Sequence, residues 1–216
     1  MIAVSFYAPR KVPQHRYDFI DCLRVQRATC RRYGVKQIVL TDQDLPDDLI
    51  QQRLRLPGEL MPAILTAQLW MVRTNPNEDL LLIGADCILG HDPTTLFDGS
   101  FDLAVTTHPF PDCILNTGLI AVAAGKGALV APVWEKALDL CGPAWGDDQH
   151  SMAEVLQPTL RHGVELRDGL RVKFLPVPGY NDAPDHPRDM NNALVVHFRG
   201  PRKEWMREWS ERFGKC

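Results

Sequence analysis

Residues 79–89 read DLLLIGADCIL, an apolar run that ends on one isolated carboxylate. Leu80, Leu81, Leu82 and Ile83, with Ala85 after Gly84, leave no polar position on either side of a strand. That continuity predicts a strand covered on both faces, as at the centre of a parallel sheet; a half-exposed strand would alternate. In open α/β sheets, ligands bind in the crevice beyond the carboxyl ends of the strands. Asp86 therefore stands where it can hold a cation or a polar ligand, or, more plainly, where it closes an Asx turn.

Working outward, residues 2–7 read as a strand and residues 8–15 as a loop with two prolines. Residues 16–33 form an amphipathic helix with Phe19, Leu23 and Ala28 at helical spacing, closed by Gly34. Residues 37–40 are a second strand ending at Thr41-Asp42, and residues 60–73 a helix that tolerates Pro62 in its first turn. Strands follow at 102–106 and 115–123, then helices at 128–140 and 147–156. The last strands, 172–175 and 193–198, flank a polar loop at 176–192, and residues 203–213 form a helical tail. This order predicts one α/β domain over residues 1–216, with a central, mostly parallel sheet flanked by helices.

Composition narrows the function classes. The chain has 216 residues, 45% hydrophobic and 24% charged, enough for a substantial core and typical of a globular protein. No apolar run approaches the ~20 residues of a membrane span. The opening MIAVSFYAPRK lacks the n- and h-regions of a signal peptide, so a cytoplasmic location is expected. Six scattered cysteines without a CxxC pair predict reduced thiols, not a disulfide framework or zinc site. A net charge of −3 gives no global attraction for nucleic acid. Two local clusters, Arg24/Arg27/Arg31/Arg32 and Arg199/Arg202/Lys203/Arg207, keep a local DNA contact open.

Four segments occur in an informative order: GADC at 84–87, PDCILNTG at 111–118, DDQ at 147–149 and HFRGPRKEW at 197–205. In this order the chain resembles the family 8 glycosyltransferases of GT-A fold, the group that includes glycogenin and bacterial lipopolysaccharide galactosyltransferases. That family carries a DxD motif after an apolar strand, an N[ST]G segment, a DQ segment and a terminal H-F-x-G-x-x-K-P-W. The resemblance implies a Rossmann-like nucleotide-diphospho-sugar transferase fold and retaining transfer of a hexose from a UDP-sugar. It also implies that Asp86 and His197 ligate Mn²⁺ or Mg²⁺. Ala85, Asp86, Asp112, Asn116, Thr117, Gly200 and Lys203 would contact the donor. Asp148 and Gln149 would lie near the anomeric carbon. Tyr7 and Asp42, at the ends of the first two strands, are placed to stack on the base and to accept a base or ribose hydrogen bond.

The chemistry explains why these residue types suit the task. A departing nucleoside diphosphate gathers negative charge, which a divalent cation offsets as a Lewis acid. Oxygen ligands suit Mg²⁺; a carboxylate with an imidazole shifts preference toward Mn²⁺. Gly200 permits close backbone approach and Lys203 adds a mobile point charge. Each residue also has a plainer reading: His197 as a buried imidazole, Asp112 as a turn residue, Asp147 and Asp148 as helix caps, Tyr7 as packing.

The chain departs from the family pattern at defined places. Gly84 stands where the first DxD carboxylate belongs, Thr66 and Gln68 where a basic residue is usual, and Glu204 where proline precedes Trp205. Three readings follow: an enzyme with a modified metal site, a metal-independent enzyme, or a catalytically impaired sugar-nucleotide-binding module. A nucleotidyltransferase would need a glycine- and lysine/arginine-rich loop after the first strand, and residues 8–13 contain no glycine. The acceptor is a glycan, a protein hydroxyl or a hydroxymethylated DNA base, the last requiring extrusion from the duplex. All transferase readings require Asp86 and His197 to converge.

Overall fold

The computed structural model describes residues 1–8, 19–109, 113–186 and 192–213. In chain order the elements are β1 (Ile2–Phe6), α1 (Phe19–Arg32), β2 (Lys36–Thr41), β3 (Gln51–Arg53), α2 (Leu60–Thr74), β4 (Leu80–Ile83) and β5 (Cys87–Leu89). They continue with β6 (Leu103–Thr107), β7 (Leu115–Val122), α3 (Gly127–Leu140), α4 (Asp147–Leu156), β8 (Gly163–Arg167), β9 (Leu170–Pro176), β10 (Asn181–Asp182) and β11 (Val195–His197). A 3-10 turn over Gly200–Trp205 leads into a final helix, Met206–Phe213. The main sheet runs β3-β2-β1-β4-β7-β6-β9-β8. Strands β3, β2, β1 and β4 are parallel, β7 is antiparallel to both its neighbours, and β6 and β9 are parallel.

The apolar run at 80–83 is split by the period of two of a strand. Leu80 and Leu82 pack with Leu65 and Met71 of α2 and Trp134 of α3. Leu81 and Ile83 pack on the other face with Cys30 of α1, Leu89 and Val195. Each such side chain, buried, contributes roughly 1.5–3 kcal/mol. Gln68 of α2 accepts a hydrogen bond from the Trp134 indole at 2.9 Å and so fixes α2 against α3. Among the described residues, no helix is long and apolar enough to cross a membrane.

A second, three-stranded sheet, β10-β11-β5, was not anticipated. The chain leaves β4, turns at residues 84–86 and re-enters as β5, antiparallel to β11 with Cys87 opposite His197. This detour carries the C-terminal segment back to the end of β4. Strand β8 was also missed. Its exposed Val164 and Leu166 alternate with Glu165 and Arg167, the pattern of an edge strand with little core signal. The two-residue turn Asp168-Gly169 joining it to β9 has both φ angles positive, 47° and 83°, and that dipeptide was the available hairpin signal. The tail expected to be helical from residue 203 becomes α-helical only at Met206, because the 3-10 turn intervenes. The first three residues of the expected helix at 16–33 lie outside the described residues.

Asp102, at the start of β6, ties that strand to β9 and α3. Its side chain is 4% exposed and accepts from the Arg171 backbone and guanidinium at 2.9 and 2.8 Å, with Lys126 at 3.2 Å. The Arg171 hydrogen bonds hold the carboxyl down to about 2, against the upward push of burial. Because the folded value lies below the unfolded one, the unfolded chain takes up the proton first as pH falls. The contribution is complete above about pH 5 and is lost as pH falls through about 2. Asp102→Asn should therefore cost about 2 kcal/mol near neutrality, with the gap to wild type closing in strong acid. Urea midpoints measured down the pH scale check this; a gap independent of pH would contradict it.

Candidate functional site

The site starts from a buried glutamine on α1. Gln26 is fully buried, and its amide donates to the carbonyls of Gly84 at 2.9 Å and Cys87 at 2.8 Å. Its oxygen accepts from Ser5 and from Gln37, each at 2.6 Å. All four hydrogen-bonding positions of the amide are thus used to hold the turn that presents Asp86. Sequence reading missed Gln26, although a lone amide among the apolar positions of a helix was a usable signal.

The Asp86 carboxylate faces an imidazole and an ammonium group. One oxygen lies 3.3 Å from His197 Nε2 and the other 2.6 Å from Lys203 Nζ. All three are largely enclosed, their side chains 15%, 14% and 10% exposed. Burial alone would raise the Asp86 carboxyl, but the His197 and Lys203 charges and hydrogen bonds reverse this and hold it well below the usual carboxylate range. Lys203 Nζ also sits 5.4 Å from the centre of the Phe19 ring, a cation–π distance.

Gly118, the last residue of the Asn-Thr-Gly segment, makes room for the imidazole. A Cβ there would fall 2.6 Å from His197 Nδ1 and 2.8 Å from Asn181 Nδ2. Asn116 Oδ1 accepts from the Gly118 amide at 2.8 Å and from Asn181 at 2.9 Å, so that oxygen already serves the scaffold. Thr117 joins β7 to α4: its hydroxyl donates to Asp148 at 3.2 Å and its amide to Gln149 at 3.3 Å. The N-cap of α4 is Gly146, with no side-chain cap, and Asp147 and Asp148 both stand in the first turn of the helix, where its dipole favours them. Asp148 is buried, which pushes its carboxyl up, with the Thr117 hydrogen bond opposing.

These groups line one cleft of about 790 Å³ at the carboxyl ends of β1, β2 and β4. Of the residues singled out from sequence, Tyr7, Ala85, Asp86, Asn116, Thr117, Asp148, Gln149, His197, Gly200 and Lys203 line it. Asp42, the residue after β2, is not in the lining. Asp112 lies outside the described residues. Arg199 and Trp145 line the cleft without having been assigned a place there. Arg199 Nε–H donates to His197 Nδ1 at 3.4 Å, and burial lowers the basicity of its guanidinium.

Asp86, Cys87 and His197 offer ligand atoms within 4.8 Å of one another, a candidate metal-binding trio. Cys87 is fully buried and its thiol is pushed well up by that burial, which leaves Asp86 and His197 as the ready donors. A carboxylate with an imidazole suits a divalent cation of borderline softness. Gly84 leaves the site without a second carboxylate, and a side chain there would require Asp86 to shift. A Cβ there would lie 2.8 Å from the Asp86 carboxylate and 3.2 Å from Cys87 Sγ, so Asp86 fills that space itself.

The two basic clusters are in part neutralised. Arg24 pairs with Asp48, Arg207 with Asp21 and Arg202 with Asp185, at 2.9, 2.6 and 3.3 Å. They give no particular support to a DNA acceptor.

No family model matches the chain, and no curated protein matches it. Solved structures do. A glycosyltransferase involved in the glycosylation of the major capsid of PBCV-1 aligns over 98% of this chain and 100% of its own, with a TM-score of 0.61 and 14% identity. The glycosyltransferase GlyE of Streptococcus pneumoniae TIGR4 aligns over 99% of this chain and 63% of its own, at 0.60 and 16% identity. The galactosyltransferase LgtC, solved with donor and acceptor sugar analogues, aligns over 100% of this chain and 96% of its own, at 0.54 and 12% identity. At these identities the likeness is one of fold: the chain has the α/β fold of these glycosyltransferases, as expected from the order of its motifs.

Proposed function

We propose that the chain is a retaining glycosyltransferase that moves a hexose from a UDP-sugar to an acceptor hydroxyl, assisted by a divalent cation. One observation carries this reading: Asp86, His197 and Lys203, distant in sequence, meet in the cleft that also holds Asp148 and Gln149. The base stacks at Tyr7, above the ends of β1 and β2. Lys203, with Arg199 behind it, supplies positive charge to the diphosphate as the sugar departs, in an enclosed site where such charge acts strongly. Asp148 and Gln149 stabilise the cationic sugar. The bond from C1 to the diphosphate oxygen breaks as C1 bonds to the acceptor oxygen on the same face. The acceptor proton passes to the departing phosphate. Asp86 and His197 would hold the cation, Mn²⁺ before Mg²⁺ from the mixed donor set, and it would add Lewis-acid neutralisation of the leaving group.

Thermal unfolding with UDP and UDP-hexoses, with and without Mn²⁺, tests this reading. UDP should raise the melting temperature by linkage, Mn²⁺ should enlarge the rise, and most of it should vanish in Asp86→Ala and His197→Ala. Equal stabilisation of all three proteins would remove the metal assignment. Stabilisation by UDP without release of UDP from any UDP-hexose would instead identify a sugar-nucleotide-binding module, for which the missing carboxylate at Gly84 speaks.

A further inference from the structure

Trp145 is 65% exposed, yet it lies on the wall of the cleft, immediately before Asp148 and Gln149. Its loop is closed by a reciprocal pair of bonds: the Asp147 amide donates to the Ala144 carbonyl at 3.1 Å, and the Ala144 amide donates to the Asp147 carboxylate at 2.8 Å. Gly146 completes the turn at a φ of 91°, which a side chain would resist. The indole is therefore presented on a fixed loop at the mouth of the site. The same cleft is lined by Leu60, Met61 and Ile64 of α2.

The charges of the cleft are segregated. Among the described residues its lysine and arginine, Lys203 and Arg199, both belong to the segment beside Asp86. The α2–α4 end has Asp148 in the lining, with Asp147 and Glu59 next to lining residues. That end presents carboxylates and, among the described lining residues, no lysine or arginine to attract a polyanion. An aromatic face flanked by carboxylates and an amide suits a neutral pyranose ring, whose C–H face is apolar and whose hydroxyls donate to such acceptors. We propose that Trp145 is the stacking platform of the acceptor subsite and that the acceptor is a neutral carbohydrate. This rests on the transfer reading above and names its second substrate.

The experiment uses the full chain and three probes: methyl glycosides of the common hexoses and N-acetylhexosamines, a serine/tyrosine peptide, and an oligonucleotide carrying hydroxymethylated bases. Release of UDP from the UDP-hexose that wild type accepts should be accelerated by at least one glycoside. In Trp145→Ala the KM for that glycoside should rise about tenfold or more, with Trp145→Phe recovering most of the loss. Stabilisation by UDP should persist in both variants, so that a loss confined to the glycoside KM separates acceptor stacking from misfolding. Titration with the glycoside should change tryptophan fluorescence in wild type and not in Trp145→Phe. An unaltered KM, an equal loss of UDP stabilisation, acceleration by peptide or oligonucleotide alone, or silence from every glycoside would each overturn the proposal. Failure of UDP to stabilise wild type would instead remove the transfer reading beneath it.

Discussion

Asp86→Asn is expected to abolish cation-dependent donor binding and to destabilise the protein by about 3–5 kcal/mol, the cost of leaving a buried charge without its partner. The orphaned charge is Lys203, whose side chain is 10% exposed and lies 2.6 Å from the carboxylate. Asparagine retains an oxygen but not the charge that balances the ammonium. Lys203→Met should be damaging for the converse reason, because Asp86 then faces His197 alone. The double variant should recover a large part of the stability, since neither charge is then buried without the other. Urea midpoints for the four proteins close the cycle, and a coupling near zero would mean that the pair does not form in solution. None of the three variants should regain transfer, because both charges are required at the diphosphate. The pH dependence has a fixed sign. The Asp86 carboxyl is held low, so its contribution persists through the neutral and mildly acidic range and is lost only as pH falls below the usual carboxylate values.

The parts of this site legible in the sequence are those in which chemistry constrains residue type at a defined strand end. Asp86 follows an apolar run that could only be a covered strand, and His197, Gly200 and Lys203 occur at fixed spacing in a short segment. The pairing of β11 with β5, which sets Cys87 opposite His197, was not readable, because three-residue strands carry too little periodicity to declare a partner. Gln26 was hidden for another reason. A helix pattern treats a polar residue on the inner face as a blemish, whereas here it supplies the hydrogen bonds that a turn ending a buried strand cannot make for itself. Arg199 was read as part of a basic surface; only the fold reveals that β11 turns it toward His197. The failures lie in long-range pairing and in polar groups that serve the scaffold, where local pattern and tertiary requirement part company.

Gly118→Ala should be among the most damaging single-methyl changes in the protein, and the reason is the immobility of what surrounds it. The added Cβ would fall 2.6 Å from His197 Nδ1, 2.8 Å from its Cε1 and 2.8 Å from Asn181 Nδ2. Neither neighbour can turn aside. Asn181 is fully buried and donates to Thr106 at 3.2 Å and Asn116 at 2.9 Å. The imidazole is held between Asp86 at 3.3 Å and Arg199 at 3.4 Å. Overpacking of this kind costs about 1–3 kcal/mol, and the ring must shift away from Asp86, so transfer should fall about a hundredfold or more. Gly58→Ala, where nothing lies within 4 Å of the added carbon, serves as the neutral control. The decisive comparison adds His197→Ala to Gly118→Ala. With the ring gone the methyl has space, so the double variant should be more stable than the sum of the single effects by about 0.5–3 kcal/mol. Strict additivity would place the imidazole elsewhere and would take the proposed cation site with it.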